Sequence, residues 1–190
     1  MHGIAADRAE LEVRINDQDW RIAWYPPVSP PAGAPHGAAA VCVADELVVL
    51  ISRDGVAWDV PAGRTEAGED WIDTLRREVE EEACATVSGC ALLGFSRGLC
   101  TRGPERGLVL VRSMWRAQVS LDPWRPRFET THRRLVPGAE ALEQIVGQPG
   151  FPAGLSPLYR RMFAEATLRA SPRSRSSSAQ VRGRRDRRVA

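Results

Sequence analysis

The sequence contains no lysine, so all 26 of its basic side chains are arginine. An arginine-only set is typical of phosphate binding, because the guanidinium fork holds an anion through two parallel hydrogen bonds, although the base composition of the gene explains the same bias. None of the four cysteines forms a CxxC pair, and no His/Cys spacing resembles a zinc site. These absences argue against a structural zinc domain.

Long apolar segments are also missing. The first ten residues hold no apolar stretch of the kind that forms a secretory signal. No run reaches the ~18 apolar residues that a membrane-spanning helix needs. We therefore expect a cytoplasmic protein without membrane contact, whose thiols stay reduced.

What is present is the balance of an ordinary globular domain, with 43% hydrophobic and 26% charged residues in a chain of 190. The charge is unevenly placed: residues 169–190 contain eight arginines and one aspartate, whereas the whole chain has a net charge of only +2. We predict one folded, mildly acidic domain over residues 8–168 and a disordered basic tail over 169–190. The tail suggests contact with nucleic acid, and a purely solubilising tail is the competing interpretation.

Apolar residues alternate with polar ones in several short runs, which predicts strands before and after one strong helix. We expect a hairpin over residues 10–24 that turns at Asn16-Asp17, a loop over 26–37, and a second hairpin from runs 38–43 and 47–52. Residues 58–61 are predicted to form a short extended piece ending in a Pro-Ala-Gly turn. Later strands are predicted at 87–94 and 108–119, with short helices at 140–146 and 156–168.

The strongest helix prediction covers residues 70–83. Asp70 is a suitable N-cap, and four apolar residues form one stripe at helical spacing: Ile72, Leu75, Val79 and Ala83. Glu78, Glu81 and Glu82 share a face beside that stripe. Like charges at this spacing repel each other, and a hard divalent cation with oxygen ligands would relieve the repulsion.

A solvated acidic face is the simpler interpretation of such a glutamate run. The loop upstream favours a metal site instead, because Gly63 to Glu69 is bounded by glycines and leads directly into the helix. Glycine lets a backbone pass close to bound metal and phosphate.

The spacing of these residues resembles the Nudix box. Gly63, five residues, Glu69, seven residues and then Arg77-Glu78-Val79-Glu80-Glu81-Glu82 match the family pattern at every defined position. The chain departs from the pattern at Cys84, where the family has glycine, and a changed local backbone with retained activity is expected there. The resemblance implies an α/β/α sandwich with a mixed sheet.

By resemblance, Mg²⁺ or Mn²⁺ would be bound by four groups: the side chains of Glu78, Glu81 and Glu82 and the carbonyl of Gly63. Arg77 would hold a glutamate in place, and Glu69 would brace the loop. The implied reaction is attack of a metal-activated water on a diphosphate linkage in a nucleotide or a nucleoside diphosphate linked to another group. A box glutamate, Glu129 or Glu140 would be the general base.

Residues outside the box select the substrate. Arg97, Arg102 and Arg106 flank a glycine-rich loop and are candidates for phosphate contact, as Glu129 and His132 are for substrate contact. The six tryptophans are candidates for stacking on a base. No second motif selects among ADP-ribose, dinucleoside polyphosphates, an oxidised nucleotide, coenzyme A and capped RNA.

Three functions therefore remain open. The first is a small-molecule pyrophosphohydrolase, which the intact glutamate set favours. The others are a catalytically inactive, nucleotide-binding regulator and an RNA 5′-end pyrophosphohydrolase that uses the basic tail. A homodimer through residues 11–24 is a further expectation.

Overall fold

The computed structural model describes residues 9–169, so the predicted basic tail after Arg169 lies outside the described residues. Within these residues there are eight strands: β1 Leu11–Ile15, β2 Gln18–Tyr25, β3 Ala34–Ala44, β4 Leu47–Ser52, β5 Ala62–Arg64, β6 Ala85–Arg102, β7 Val109–Leu121 and β8 His132–Val136. Three α-helices accompany them: α1 Trp71–Ala83, α2 Gly138–Gly147 and α3 Ser156–Leu168. None of these helices is long and apolar enough to cross a membrane.

The strands form one mixed sheet in the order β1-β2-β6-β7-β3-β4-β8, with β5 paired to β3. Only the β3–β7 pair is parallel, and every other pair is antiparallel. One apolar core holds α1 against the sheet, and a second core contains side chains of α2 and α3. The predicted mixed sheet between helical layers is confirmed.

Strand β3 shows how one sequence run serves both cores. Ala38 and Ala40 pack towards α1, whereas Ala39 and Val41 pack into the core that contains α2 and α3. This follows from the two-residue repeat of a strand. The small side chains facing α1 leave room for the helix to lie close to the strand, where Leu75 is almost fully buried.

Helix α1 begins as predicted. The Asp70 carboxylate accepts hydrogen bonds from the backbone N–H groups of Ile72 (2.8 Å) and Asp73 (2.9 Å), and the Asp73 side chain completes a capping box. The helix ends at Cys84, which adopts the left-handed conformation (φ 44°, ψ 60°) that glycine would take. The expected change of backbone at Cys84 is therefore not observed.

Four predictions of local structure are wrong or incomplete. Strand β3 already begins at Ala34, inside the predicted loop, because β7 and β5 supply hydrogen-bonding partners there. Residues 62–64 form β5 rather than a turn. Strands β6 and β7 extend beyond their predicted ends because they pair with each other over nearly their whole length. His132 begins the unpredicted strand β8, which is short and polar and depends on pairing with β4.

Candidate active site

Glu78 and Glu82 lie on the side of α1 that faces β5, whereas Glu81, the third member of the predicted cluster, borders the solvent side of the helix. Glu78 is 8% exposed, and the Glu82 carboxylate accepts a hydrogen bond from the backbone N–H of Ala62 (2.9 Å). Burial raises the pKa of Glu82 to about 7 and raises the pKa of Glu78 as well. These carboxylates are therefore held in surroundings where positive charge would stabilise their ionised forms.

Gly63 lies directly against this cluster. A Cβ atom added to Gly63 would stand 1.8 Å from Oε1 of Glu78, a distance that no side chain tolerates. Only glycine at this position lets β5 approach α1 so closely. The match of Gly63 to the Nudix pattern thus has a direct steric reason.

Arg77 joins the loop to the helix. Its Nε donates to Oε1 of Glu69 (2.6 Å) and one terminal nitrogen donates to Oε2 of the same carboxylate (3.0 Å). The other terminal nitrogen donates to Glu78 (2.8 Å) and to Glu81 (3.1 Å). A further hydrogen bond reaches the carbonyl of Arg64 (2.8 Å), so one side chain orders both the loop and two cluster glutamates.

Glu69 is the second brace of the loop. Besides Arg77, it accepts hydrogen bonds from the backbone N–H of Glu66 (3.0 Å) and from the hydroxyl of Thr74 (3.0 Å). The hydrogen bond from Arg77 is the main cause that lowers the pKa of Glu69 to about 2. Glu69 therefore carries a fixed negative charge at the base of the loop.

The donor set fits a hard divalent cation. It consists of carboxylate oxygens and a main-chain carbonyl, which are the ligands that Mg²⁺ and Mn²⁺ prefer. The Gly63 backbone lies against the Glu78 carboxylate, and its carbonyl oxygen lies near Gly37 of β3, so its role as a ligand stays a prediction. Within residues 9–169, no three acidic, histidine or cysteine side chains are already arranged around one point, so binding would require rotation of these side chains.

A cavity of about 430 Å³, called here the inner cavity, opens beside β5 and is lined by both Ala62 and Arg64. Its walls are more apolar than polar, and its polar lining residues include Asp59, Arg112 and Tyr159, which come from distant segments. The Tyr159 hydroxyl donates to the Asp59 carboxylate at 3.0 Å. The sequence predictions did not include these three residues, although Arg112, one of the two arginines of β7, directly follows an apolar run and was a usable signal.

A second concavity of about 590 Å³, called here the outer cleft, lies on the solvent side of α1. It is bordered by side chains of α1 and of the segment after β7: Arg76, Arg77, Glu80, Glu81, Arg125, Arg127 and Phe128. Within residues 9–169, Arg76, Arg125 and Arg127 form no ion pair. Phe128 is 56% exposed beside them, so the outer cleft combines free positive charge with an aromatic surface.

The structure does not bring all predicted substrate residues to these sites. Arg97 donates to the carbonyl of Ala32 (3.0 Å), and Arg102 is an exposed residue near Asp19 (3.9 Å); neither lines the inner cavity. Arg106 lies in the turn between β6 and β7. Their assignment to substrate binding stays a prediction.

The two candidate bases outside the box lie in different places. Glu129 forms an ion pair with Arg53, whose positive charge also acts on Glu82. Glu140 lies in the first turn of α2, where its charge acts on Arg134. Glu129 is therefore linked to the glutamate cluster through Arg53, whereas no such link is observed for Glu140 among residues 9–169.

All six tryptophans lie within residues 9–169, and only Trp20 lines the inner cavity. Trp58 packs beneath the Arg134 guanidinium (3.8 Å), and Trp71 packs against Phe95 (5.1 Å between ring centroids). Most of these rings therefore contribute to packing rather than to a binding surface.

Comparison with known proteins places this arrangement in a family. The family model of the NUDIX domain matches residues 34–150. A comparison with curated protein sequences found no matching relative.

Solved structures share the fold at low sequence identity. The pyrophosphohydrolase BsRppH of Bacillus subtilis is 21% identical, with a TM-score of 0.60, over 77% of this chain and 92% of that one. A NUDIX hydrolase from Nitrosomonas europaea is 22% identical, with a TM-score of 0.54, over 71% and 90%. The NUDIX domain of Shewanella oneidensis NrtR, solved with ADP ribose, is 16% identical, with a TM-score of 0.50, over 77% and 94%.

Proposed function

This chain belongs to the NUDIX family of hydrolases, and from that membership and the geometry of α1 we propose that it is a metal-dependent pyrophosphohydrolase that cleaves a diphosphate linkage in a nucleotide. The observation that carries the proposal is the contact between Gly63 and Glu78, which aligns the loop with the glutamate cluster. An acidic helix face without a function would not need a loop glycine pressed against one of its carboxylates.

Glu78, Glu81 and Glu82 would hold Mg²⁺ or Mn²⁺ together with the carbonyl of Gly63. When bound, the cations would neutralise phosphate charge and lower the pKa of the attacking water. The role of Arg77 is to position Glu69 and the cluster, since it hydrogen-bonds both. This division of labour separates ligand residues from a positioning residue.

Glu129 is the base that we propose for the attacking water, in preference to Glu140. It projects from the segment after β7 and pairs with Arg53, which acts electrostatically on Glu82. A Glu129→Gln variant should lower kcat by about 100-fold. The same change at Glu140 should leave kcat close to that of the unmodified protein.

The inner cavity is the place that we propose for the organic part of the substrate. It borders β5 through Ala62 and Arg64, so a group bound there stays close to the diphosphate site. Its volume and mainly apolar lining are those of a small-molecule site. Arg97 and Arg102 do not line this cavity, so they would contact only parts of the substrate that extend outside it.

A second candidate function is hydrolysis at the 5′ end of RNA, which the outer cleft favours. Arg125 and Arg127 have no ion-pair partner among the described residues, and Phe128 offers a ring for stacking. An Arg125→Gln/Arg127→Gln variant would lower kcat/KM for triphosphorylated RNA but not for mononucleotides. Removal of residues 171–190 would test the contribution of the predicted basic tail in the same assay. Equal rates on RNA for the unmodified protein, the double arginine variant and the truncated protein would exclude this candidate.

The first experiment is turnover on a substrate panel. The purified chain is incubated with nucleoside triphosphates, ADP-ribose and dinucleoside polyphosphates in the presence of Mg²⁺ or Mn²⁺, and the products are separated by chromatography. Glu82→Gln serves as the inactive variant and Glu80→Gln as its matched control on the same helix. Turnover that survives in Glu82→Gln, or that needs no metal, would overturn the proposal. Nucleotide binding without any turnover would support the inactive regulator.

A further inference from the structure

Arg112 is a half-buried charged residue for which the described part of the fold provides no partner. It lies on β7 next to Gly37 of β3, and its side chain lines the inner cavity. Among residues 9–169, no oxygen hydrogen-bonds its guanidinium and no carboxylate lies within 4.0 Å of it. Burial lowers the pKa of Arg112. A half-buried guanidinium without a protein partner keeps its donors available to a ligand that supplies acceptors.

Asp59 lines the same cavity, and its carboxylate can accept a further hydrogen bond. The hydroxyl of Tyr159 donates to both of its oxygens (3.0 Å each), and the backbone N–H of Val60 donates to Oδ1 (2.8 Å). A carboxylate offers about four acceptor positions, so Oδ2 retains one that these bonds do not use. The backbone next to Asp59 is also fixed by Gln148. The side-chain oxygen of Gln148 accepts a hydrogen bond from the N–H of Trp58 (2.7 Å), and its side-chain nitrogen donates to the Trp58 carbonyl (2.9 Å).

The two groups therefore require a ligand that carries both hydrogen-bond acceptors and a hydrogen-bond donor. Arg112 offers a planar pair of donors, and Asp59 offers an acceptor. Both line the inner cavity and they form no ion pair within 4.0 Å, which leaves space between them for a ligand. Trp20, Ile22 and Met114 supply apolar walls for a flat ring.

On the basis of the proposed function, we propose that the inner cavity recognises a 6-oxopurine base, with Arg112 and Asp59 as the residues that determine specificity. Guanine carries two adjacent acceptors, O6 and N7, which match an arginine fork, and one of its donors, N1–H or N2–H, would use the acceptor position that Asp59 retains. Adenine would place its amino group against Arg112, so two donors would face each other. A pyrimidine lacks the second ring acceptor.

The chain brings part of this recognition from outside the matched family region. Residues 34–150 match the NUDIX model, whereas Tyr159 comes from α3 and Trp20 from β2. Tyr159 acts as a positioning residue for Asp59, because its hydroxyl orients that carboxylate. Base selection is thus inferred to depend on elements that flank the hydrolase core.

The test measures nucleotide affinity in the Glu82→Gln protein with Mg²⁺ by titration calorimetry, so that turnover does not interfere. We expect GTP to bind at least about 10-fold more tightly than ATP. We expect 7-deaza-GTP, which lacks only the N7 acceptor, to bind about 5-fold more weakly than GTP. In a protein that also carries Arg112→Gln the 7-deaza penalty should disappear, and it should persist with the control Arg116→Gln on the same strand.

Equal affinity for GTP and ATP would overturn the inference, and so would a 7-deaza penalty that is unchanged in Arg112→Gln. The 7-deaza comparison needs no change at Arg112, so it decides the matter even if that variant does not fold. Hydrolysis of many nucleotides without preference for guanine would leave the proposed function standing and remove this inference. Selective guanine binding without hydrolysis in the unmodified protein would support this inference and overturn the proposed function.

Discussion

The acidic face of α1 and the inner cavity differ in how the chain assembles them. The first is built from one stretch of sequence, from Gly63 in β5 to Glu82 in α1. The second combines residues that are far apart in the sequence, including Trp20, Asp59, Arg112 and Tyr159. A local stretch can preserve its chemistry in any member of a family, whereas a cavity made of distant segments changes whenever one of them changes.

This contrast predicts different kinetic effects for the two regions. Changes on the α1 face should lower kcat for every substrate by the same factor, because all substrates share the diphosphate. Changes in the inner cavity should alter the ratio of kcat/KM between substrates.

The largest effect is expected from loss of a carboxylate charge on α1. Glu81→Gln and Glu82→Gln should each lower kcat by about 100-fold or more, since each removes a hard ligand charge worth several kcal/mol. Circular dichroism should show unchanged folding. Glu80 is exposed on the same helix, so Glu80→Gln is the control and should keep its activity. Near-normal rates in both Glu81→Gln and Glu82→Gln would show that the α1 face does not carry the chemistry that the contrast assigns to it.

Gly63→Ala should come next, with a loss in kcat of about 10- to 100-fold. The added methyl group would overlap the Glu78 carboxylate, 1.8 Å from Oε1, and would displace it. Gly89→Ala is the matched control, because a Cβ there meets nothing within 4 Å. Steady-state rates on two different nucleotides should fall by the same factor; a change in their ratio would contradict the contrast.

Arg77→Gln should weaken metal binding by about 10-fold, because Arg77 orders the cluster without being a ligand itself. Its hydrogen bonds to Glu69, Glu78 and Arg64 would be lost together. The measurement is the Mn²⁺ concentration that gives half-maximal activity. Arg76→Gln changes the neighbouring exposed arginine and should leave that concentration unaltered.

A smaller effect concerns pH and the metal-free protein. The pKa of Glu82 is about 7 in the folded chain and near 4.5 when unfolded, so the folded state binds the proton more tightly. Its stabilising contribution is therefore present below pH 4.5 and is lost as the pH rises to 7. We expect the free energy of unfolding in EDTA to fall by about 1–2 kcal/mol more in the unmodified protein than in Glu82→Gln over this range. Urea titrations at pH 5 and pH 8 would measure the difference, and identical pH profiles would contradict it.

The smallest effect is expected at the end of α1. Cys84 holds a left-handed conformation (φ 44°) that costs a residue with a Cβ about 1 kcal/mol. Cys84→Gly should therefore raise the free energy of unfolding by about that amount and leave kcat unchanged. Cys90→Gly provides a comparison at an exposed thiol. A large loss of activity in Cys84→Gly would assign this residue to the chemistry.

Sequence patterns predicted the elements whose signals are local. The hairpin of β1 and β2 turns at Asn16-Asp17 as expected, since both residues adopt positive φ angles. Helix α1 carries its cap and its apolar stripe within fourteen residues. Strand β8 escaped prediction because its polar sequence gains a strand conformation only by pairing with β4.

The parts of the candidate site differ in the same way, because the α1 face depends on local sequence and the inner cavity depends on distant segments. The spacing of Gly63, Glu69, Arg77 and the three glutamates could be interpreted from the sequence. In a short loop followed by a helix, sequence spacing largely determines where each side chain lies. By itself, the sequence determined the NUDIX motif, the mixed-sheet class and the carboxylate face. Only the tertiary structure decided that Arg112 lines the inner cavity without a partner among the described residues and that Tyr159, from the last helix, orients Asp59. Contacts across a hundred residues depend on how the sheet and helices pack, and no local pattern encodes that packing.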